Sequence, residues 1–329
     1  MSKAQFYSRK PGNILLCELC PNNCRIESGD SGICQVRKNN AGILSLPYYG
    51  MCTAIALDPI EKKPLYHFYP GKNILSVGFL GCSFKCPFCQ NFAISQSVST
   101  HARPVSPQNL VDMALKEQSF AIAYTYSEPI VHLEYVLDTA SIARAKGLKN
   151  VLVSNGYVNP KPAEELLSAM DAANIDLKSF NPDFYKEEIK GKLAPVKKFI
   201  EMAAGRIHLE VTTLIIPGKN DSVREMEEIA QFLASLDKNM PFHLSCYYPT
   251  YKYDIAATPV YSVKKLADVA RKYLTYVYIG NAGGESTDTL CISCGSVLVG
   301  RRGYTVSLDG IQGKNCRKCG AVAPVAGLD

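Results

Sequence analysis

The segment Gly81-Cys-Ser-Phe-Lys-Cys-Pro-Phe-Cys-Gln-Asn91 decides how this chain is interpreted, because it places Cys82, Cys86 and Cys89 in the spacing Cys-x3-Cys-x2-Cys. Soft thiolate ligands select zinc or iron–sulfur clusters. Three thiolates are one fewer than a four-iron cluster needs, so one iron would stay open to a small molecule. The structural alternative is a zinc loop completed by another cysteine. The segment therefore predicts a metal centre, and the cluster with an open iron is the interpretation that the later motifs favour.

Around this segment, short β-branched runs alternate with amphipathic helical stretches, which is the pattern of βα units around a parallel sheet. The predicted strands are Ile74 to Leu80, Phe120 to Tyr126, Asn150 to Ser154, Ala173 to Leu177, Ile207 to Ile216, Phe242 to Cys246, and Thr275 to Ile279. Ser106 and Pro107 supply a helix cap and a proline at the first helical position. Apolar stripes predict four further helices with core-facing sides, at Ile130, Leu133, Leu137 and Ala140; at Leu166, Leu167 and Met170; at Met226, Ile229, Ala230 and Leu233; and at Leu266, Val269, Ala270 and Tyr273. The fold class is therefore α/β.

Polar or glycine-rich groups follow every predicted strand. In a βα barrel the carboxyl ends of the strands converge on one mouth, where the chemistry occurs. The groups are the cysteine loop, Tyr126-Ser127-Glu128-Pro129, Ser154-Asn155-Gly156, Asp176-Leu177-Lys178, Pro217 to Asp221, His243 with Tyr247, and Gly280 to Gly284. We expect them to surround a single site.

Two further cysteine groups lie at the two ends of the chain. The opening group, Cys17, Cys20, Cys24 and Cys34, is irregular in spacing and is predicted to hold either zinc or an auxiliary four-iron cluster. The closing group, Cys291, Cys294, Cys316 and Cys319, consists of two Cys-x2-Cys knuckles around a hairpin from Ser296 to Leu308. This spacing fits a zinc ribbon or a rubredoxin-like site, and structural zinc is favoured over iron. The predicted domains are 1–70, a cysteine-rich extension; 71–286, a barrel; and 287–329, a metal-binding module.

Composition limits the compartment and the partners. The chain has 329 residues, 13 cysteines and a formal net charge of +6. Its first ten residues lack the apolar core of a signal peptide, and no apolar run reaches the length of a membrane span. We therefore predict a cytoplasmic protein without a membrane partner, whose cysteines bind metal rather than form disulfides. The mildly basic charge neither implies nor excludes nucleic acid.

The cysteine segment, with Phe88 before its third cysteine, resembles the signature of radical SAM enzymes. Further segments resemble a subgroup related to the pyruvate formate-lyase activating enzymes, and more narrowly the AmmeMemoRadiSam-system radical SAM enzymes. These segments are Asp58 to Gly71, Cys89-Gln-Asn, Thr213 to Gly218 and Tyr278 to Asn281. The resemblance implies a partial (β/α) TIM-like barrel with cysteine-rich extensions. It also implies a [4Fe-4S] cluster on Cys82, Cys86 and Cys89, whose free iron chelates S-adenosylmethionine, and reductive cleavage to a 5′-deoxyadenosyl radical.

The resemblance also implies roles for residues at the strand ends. Glu128 would accept hydrogen bonds from the ammonium of S-adenosylmethionine, Ser154 and Asn155 would bond its ribose and carboxylate, Phe88 would lie against adenine, and Asn281 would also contact the cofactor. Asp176, Lys178 and His243 would face the substrate. Each has a structural alternative: Glu128 as an acid at a helix N-terminus, Asp176 with Lys178 as an ion pair at the barrel mouth, and His243 as a core histidine.

Three functional hypotheses follow. The first is a radical SAM enzyme that takes electrons from a donor such as ferredoxin or flavodoxin and abstracts hydrogen from an unidentified substrate, for which a protein is one alternative. The second is activation of a glycyl radical enzyme. It is weakened because the chain lacks cysteines between Cys89 and Cys246 and carries Glu210 where such activators tend to carry a basic residue. The third is a non-catalytic metal-ribbon scaffold that binds RNA or a protein.

Overall fold

The structure is a computed structural model that describes residues 2–99, 101–283 and 286–328. Gly284, the last residue of the glycine-rich loop predicted after the seventh barrel strand, lies outside the described residues.

The N-terminal extension folds into small antiparallel sheets. Its strands are β1 (Ser2–Lys3), β2 (Tyr7–Lys10), β3 (Ile14–Cys17), β4 (Arg25–Ile26), β5 (Lys38–Asn40), β6 (Ile43–Leu46) and β7 (Met51–Cys52). The strand orders are β1-β6-β5 and β2-β3-β4. Since the strands are only two to four residues long, cross-strand pairing alone gives little stability, and the extension depends on packing against the rest of the chain.

A central layer of alternating strands and helices follows. Its elements are β8 (Ala54–Pro59), β9 (Asn73–Gly78), α1 (Phe92–Ser95), β10 (Arg103–Pro104), α2 (Pro107–Lys116), β11 (Ala121–Thr125), α3 (Leu133–Ala145), β12 (Lys149–Ser154), α4 (Pro160–Ala169), β13 (Ala172–Asp176), α5 (Pro182–Glu187), α6 (Leu193–Ala203), β14 (His208–Ile215), α7 (Val223–Leu236), β15 (Phe242–Cys246), α8 (Val260–Ala270) and β16 (Val277–Gly280). Short 3-10 helices occupy Pro11–Asn13, Ile60–Lys62 and Pro129–His132.

These strands form one sheet in the order β16-β15-β14-β13-β12-β11-β9-β8. All seven predicted strands are present, as β9 and β11 to β16, and each pairs in parallel with its neighbours. The edge strand β8, which the sequence analysis missed, pairs with β9 in the antiparallel direction. In the described part of the chain the two edge strands, β8 and β16, do not pair with each other, so the sheet stays open and the predicted α/β fold is confirmed.

The helices cover one face of this sheet. Ser106 accepts a hydrogen bond from the Asn109 amide at 3.1 Å, so α2 starts at the predicted cap. The predicted stripes on α3, α4, α7 and α8 are mostly buried, as expected for core-facing sides. The other face of the sheet packs at one end on the chain between β8 and β9, where Ile60, Leu65 and Phe68 contact the small residues Ala121 and Ala172.

The chain ends in a small module built from β17 (Thr289–Leu290), β18 (Val297–Arg302), β19 (Thr305–Ser307), β20 (Ile311–Gln312) and β21 (Asn315–Cys316). β18 and β19 form the predicted hairpin, with its turn between Arg302 and Thr305. No helix in the described ranges combines the length and apolar character needed to cross a bilayer.

Candidate active site and metal centres

The cysteine loop follows β9 and lies at the carboxyl end of the sheet. The Phe84 amide donates to Cys82 Sγ at 3.4 Å, and Cys89 Sγ lies 3.1 Å from Ser95 Oγ of α1. Burial raises the pKa of the Cys86 thiol to about 12. Left as a free thiol Cys86 would stay protonated, whereas coordination to a metal deprotonates a thiol outright. Their chemistry fits a bound metal centre.

Asn155, at the end of β12, connects the cysteine loop to the neighbouring strand end. Its side-chain amide donates to Ser83 Oγ at 3.1 Å and lies 3.7 Å from Cys82 Sγ. Its carbonyl oxygen accepts from the Tyr157 amide at 2.8 Å, which fixes the orientation of the side chain. Asn155 therefore lies between the predicted cluster and the predicted cofactor site.

Glu128 lies beside Asn155 and is buried. Its carboxylate accepts hydrogen bonds from the Ile130 amide at 3.0 Å, Ser154 Oγ at 2.7 Å and the Asn155 amide at 3.0 Å. Burial raises the pKa of Glu128 to about 7 despite these three donors. The bond to Ile130 makes Glu128 the cap of the 3-10 helix Pro129–His132, as the structural alternative predicted. A buried carboxylate with a raised pKa would gain stability from a cationic ligand, so the cap and the ammonium-binding role are compatible.

Ser127, which the sequence analysis placed at the strand end without a role of its own, is adjacent to Glu128. Its hydroxyl is buried and has no hydrogen-bond partner within the described ranges. A buried hydroxyl without a partner is costly, so a ligand that bonds it would relieve that cost. The position directly before the predicted glutamate was the available sequence signal.

Asp176 and Lys178 form an ion pair of 2.8 Å at the end of β13. Burial opposes the charge on Lys178, but the Asp176 carboxylate holds the pKa of Lys178 above its usual value, and negative charge on the nearby Cys86 sulfur would raise it further. The predicted pair thus lies close to the cysteine loop. Its role toward a substrate stays a prediction.

Phe88 packs among aromatic rings, and Asn281 lies at the exposed end of β16. The Phe88 ring is 3% exposed and packs near the rings of Phe184 and Tyr253, at centroid distances of 6.0 and 5.7 Å. Asn281 is exposed at the end of β16, where its carbonyl accepts a hydrogen bond from Tyr248 at 2.9 Å. Neither residue has a described hydrogen bond to the group formed by Cys82, Glu128 and Asn155, so both cofactor contacts stay predictions.

His243 lies on β15 and is held by a residue whose contacts the sequence did not reveal. Its Nε2 is 2.6 Å from Glu210 Oε2, and its ring stacks near Tyr278. Burial alone would raise the pKa of Glu210, but hydrogen bonds from His208 and His243 hold it below its ordinary value. Glu210 also accepts the backbone amides of Tyr66 and His67 at 3.0 and 2.7 Å. His243 is thus a satisfied buried histidine, and a substrate contact stays a prediction.

Charged side chains of β8 and of the segment that follows it lie next to Tyr126, the residue that follows β11. Asp58 accepts hydrogen bonds from Lys62 at 2.8 Å, Lys63 at 2.7 Å and the Tyr126 hydroxyl at 2.5 Å. The Lys63 ammonium also lies 4.5 Å from the centre of the Tyr126 ring. These contacts join Asp58, Lys62 and Lys63 to Tyr126 and so help to fix the loop that carries Ser127 and Glu128.

The four C-terminal cysteines converge closely. Cys291 Sγ is 3.7 Å from Cys319 Sγ, Cys294 Sγ is 3.7 Å from Cys316 Sγ, and all four sulfurs lie within 4.8 Å of one another. A tetrahedral zinc site with Zn–S bonds of about 2.3 Å separates its sulfurs by about 3.8 Å. A hydrogen bond from Ser296 lowers the pKa of Cys316 to about 6, which favours the thiolate. The module is therefore shaped to bind a metal.

The four N-terminal cysteines also form one group, with wider spacing. Cys17 and Cys24 face each other across β3 and β4, where the Cys17 amide donates to the Cys24 carbonyl at 2.9 Å. Burial raises the pKa of the Cys20 thiol, and charges on Cys34, Cys17 and Cys24 would raise it further, so the four thiols lie within electrostatic range. Over all described residues, the C-terminal group alone brings three or more potential ligands within 4.8 Å of one another.

Comparisons with known proteins identify the family. A model of the radical SAM superfamily matches residues 77–233, which contain the cysteine loop, Glu128, Asn155 and Lys178. The uncharacterized protein MJ0808 of Methanocaldococcus jannaschii is 38% identical over 97% of this chain and 98% of its own length. The chain belongs to the radical SAM superfamily. Another similar protein of that organism, "Putative glycyl-radical enzyme activating enzyme MJ1227", is 25% identical over 66% of this radical SAM enzyme and 92% of its own length.

Solved structures show the same fold. A radical SAM methyltransferase from Sphaerobacter thermophilus covers 66% of this enzyme and 68% of its own chain, with 17% identity and a TM-score of 0.52. SuiB of Streptococcus suis bound to S-adenosylmethionine covers 68% of this enzyme and 54% of its own chain, with 12% identity and a TM-score of 0.51. The family membership implies a [4Fe-4S] cluster and S-adenosylmethionine. The buried cysteine loop, the unpartnered Ser127 hydroxyl and the raised pKa of Glu128 fit these groups.

Proposed function

We propose that this radical SAM enzyme holds its cluster on Cys82, Cys86 and Cys89 and binds S-adenosylmethionine through Ser127 and Glu128. One observation carries the proposal: Asn155 joins the cysteine loop to the strand end that contacts Glu128, so the two predicted binding groups form one site. When bound, the cluster and S-adenosylmethionine supply a 5′-deoxyadenosyl radical that abstracts hydrogen from a substrate. The protein binds and orients S-adenosylmethionine and the substrate, and it excludes water from the site.

The residues of the chain have distinct tasks in this proposal. The Glu128 carboxylate attracts the ammonium of S-adenosylmethionine. The Ser127 hydroxyl is available to form a hydrogen bond with S-adenosylmethionine. Asn155 bonds both the cysteine loop and Glu128 and so holds the loop at a fixed distance from Glu128. The ammonium of Lys178, paired with Asp176, sets a positive charge near Cys86 and faces the substrate side. A donor such as ferredoxin or flavodoxin supplies the electron.

The C-terminal module, residues 287–329, is proposed to bind structural zinc. The sulfur separations of 3.7 Å fit a single tetrahedral ion. The module also contacts the sheet: Arg301 donates to the Tyr66 carbonyl at 2.6 Å, and His67 Nδ1 lies 2.7 Å from the Pro324 carbonyl. The zinc would thus stabilise the segment with Tyr66 and His67, whose backbone amides donate to Glu210.

The direct test is formation of 5′-deoxyadenosine after anaerobic reconstitution with iron and sulfide and reduction with dithionite. We expect product from the wild type and from Cys52→Ala, which removes a buried thiol outside the three cysteine groups. Cys86→Ala should give none. Equal product from the wild type and Cys86→Ala, or none from the wild type when its cluster spectrum is present, would contradict the proposal.

Activation of a glycyl radical enzyme is the second candidate. The similarity to MJ1227 over 92% of that protein supports it. The test incubates the reconstituted enzyme and S-adenosylmethionine with each glycyl radical enzyme encoded in the source genome, and looks for the glycyl radical by electron paramagnetic resonance. A signal that depends on Cys86 would establish activation, and no signal with any of them would exclude it.

A further inference from the structure

The four N-terminal cysteines lie next to the cysteine loop of the barrel. We propose that Cys17, Cys20, Cys24 and Cys34 bind a second iron–sulfur cluster, which passes an electron to the cluster on Cys82, Cys86 and Cys89. The electron-transfer step rests on the proposed function, because it needs the barrel cluster as acceptor. The binding of a second cluster does not.

The backbone brings the four N-terminal cysteines together. The hairpin of β3 and β4 pairs Cys17 with Cys24, and Cys20 lies in its turn, where its carbonyl accepts the Asn23 amide at 3.0 Å. The next loop closes on the same place, since the Ile33 amide donates to Cys24 Sγ at 3.4 Å and Ile33 precedes Cys34. An amide hydrogen bond to sulfur is also present at Cys82, and such bonds tune iron–sulfur clusters.

The spacing of the sulfurs differs between the cysteine groups. A single zinc ion needs four sulfurs about 3.8 Å apart, as the C-terminal group provides. A four-iron cluster binds each thiolate through a different iron, so its sulfurs lie farther apart. Neither the N-terminal group nor Cys82, Cys86 and Cys89 brings three sulfurs within 4.8 Å, and every cysteine belongs to the described residues. In sulfur spacing the N-terminal group therefore resembles the group Cys82, Cys86 and Cys89 and differs from the C-terminal group.

The N-terminal cysteine loops directly contact the cysteine loop that follows β9. The Asn22 side-chain amide, two residues after Cys20, donates to the carbonyl of Ser83 at 2.9 Å. On the other side, a Cβ atom on Gly81 would lie 2.3 Å from the Cys34 carbonyl, so only glycine permits this approach. The residues on both sides of Cys82 thus touch loops that carry Cys20 and Cys34. Contacting loops keep the two cysteine groups close together, and this proximity is what electron transfer between their clusters requires.

The electron balance is simple. A one-electron donor of the ferredoxin or flavodoxin class reduces the N-terminal cluster. That cluster then loses one electron and is oxidised, the barrel cluster gains it and is reduced, and no proton or bond changes place in the transfer.

The decisive protein is the triple variant Cys82→Ala/Cys86→Ala/Cys89→Ala, because its N-terminal extension is untouched. After anaerobic reconstitution and desalting we expect about four irons and four sulfides per chain, against about eight of each in the wild type. If the triple variant binds no iron, the proposal of a second cluster is wrong. It is also wrong if the variant binds zinc instead of iron in addition to the ion of the C-terminal module. Formation of 5′-deoxyadenosine by the wild type tests the proposed function separately.

The matched variant is Cys24→Ser, which leaves three of the four N-terminal thiols, with Cys52→Ala as control. We expect Cys24→Ser to lose up to half of the wild-type iron, and Cys52→Ala to keep all of it. Full iron in Cys24→Ser after exposure to a chelator would contradict the assignment. Circular dichroism of both variants checks that the chain is folded.

The relay is tested by electron paramagnetic resonance of the fully reduced protein. Two reduced clusters in contacting loops interact magnetically, so the wild-type spectrum should be broader than the sum of the spectra of the triple variant and of Cys24→Ser. A wild-type spectrum equal to that sum would place the clusters too far apart and would refute the relay, whatever the activity.

Discussion

Glu128 combines burial, a capping bond and a raised pKa in one carboxyl group. Because its pKa is about 7, the carboxylate fraction rises between pH 6 and pH 7, and only the carboxylate attracts the ammonium of S-adenosylmethionine. We therefore predict that affinity for S-adenosylmethionine increases about fivefold over this interval. Equilibrium binding to the cluster-loaded, unreduced enzyme measures it, and below pH 7 the amino group of the ligand stays largely protonated.

Glu128→Gln is the control for this prediction. The amide keeps the size of the side chain and one acceptor oxygen but cannot ionise. We expect weaker binding of S-adenosylmethionine that is nearly constant from pH 6 to pH 7. If the variant retains the wild-type pH dependence, another group is responsible for it.

Lys62 and Lys63 bond the same carboxylate, Asp58, in different surroundings. The Lys62 side chain is 47% exposed and that of Lys63 is 2% exposed. Lys63→Ala removes the buried donor to Asp58, while Lys62 and Tyr126 still bond that carboxylate, so the variant should lower the free energy of unfolding by about 2 kcal/mol. Lys62→Ala should change it much less, because water screens the exposed pair. Urea unfolding of the two variants compares them, and equal losses would contradict the burial argument.

At the scale of elements, the C-terminal module and the segment before β9 depend on each other. The Tyr69 amide donates to the Ala326 carbonyl at 3.0 Å, and the Ala326 amide donates to the His67 carbonyl at 2.8 Å. We predict that Cys291→Ser/Cys319→Ser loses the bound metal and that amide exchange then accelerates at Tyr69 and Ala326.

Helix α3 gives the internal reference for this measurement, since it packs on the sheet away from the module. Its amides should exchange at the same rate in the wild type and in the double variant. Metal loss without faster exchange at Tyr69 would show that the module is not stabilised by its ion. Faster exchange throughout α3 would show general unfolding instead.

Several elements were predictable because local signals agreed with the fold. Ser106 with Pro107 fixed the start of α2, and period-four apolar residues fixed α7. Helix α6 was missed although Leu193, Val196, Ile200 and Ala203 carry the same period and are buried. Strand β8 was missed for a physical reason: as an edge strand with an exposed Leu57 it has no clear alternation, and its partner β9 lies beyond a loop.

At the scale of the whole molecule, Arg301 joins the C-terminal module to the centre of the protein. Its side chain is fully buried and donates to the carbonyls of Tyr66 and Thr287 and to Thr289 Oγ1. Arg301→Ala would remove the donor to the Tyr66 and Thr287 carbonyls, while Thr289 Oγ1 keeps the Tyr278 hydroxyl as a partner at 2.9 Å. We predict a loss of about 3 kcal/mol in the free energy of unfolding.

Arg302 is the matched control, since its side chain is 80% exposed and bonds Asp288 at the surface. Arg302→Ala should leave the urea midpoint close to that of the wild type. If both variants unfold at the wild-type midpoint, the module adds nothing to the stability of the whole chain through this contact. Zinc content, measured on the same samples, separates loss of the contact from loss of the ion.

The sequence by itself determined the α/β class, the seven parallel strands, the three cysteine groups and the family. These features were predictable because strand and helix periods, helix caps and ligand spacing depend only on residues that are close in the sequence. Only the tertiary structure decided that Asn155 joins Cys82 to Glu128, that Glu210 holds His243, and that the N-terminal cysteines touch the barrel loop. These contacts join residues tens of positions apart in the sequence, because the open sheet brings its strand ends and both extensions together. No local sequence pattern could have predicted them.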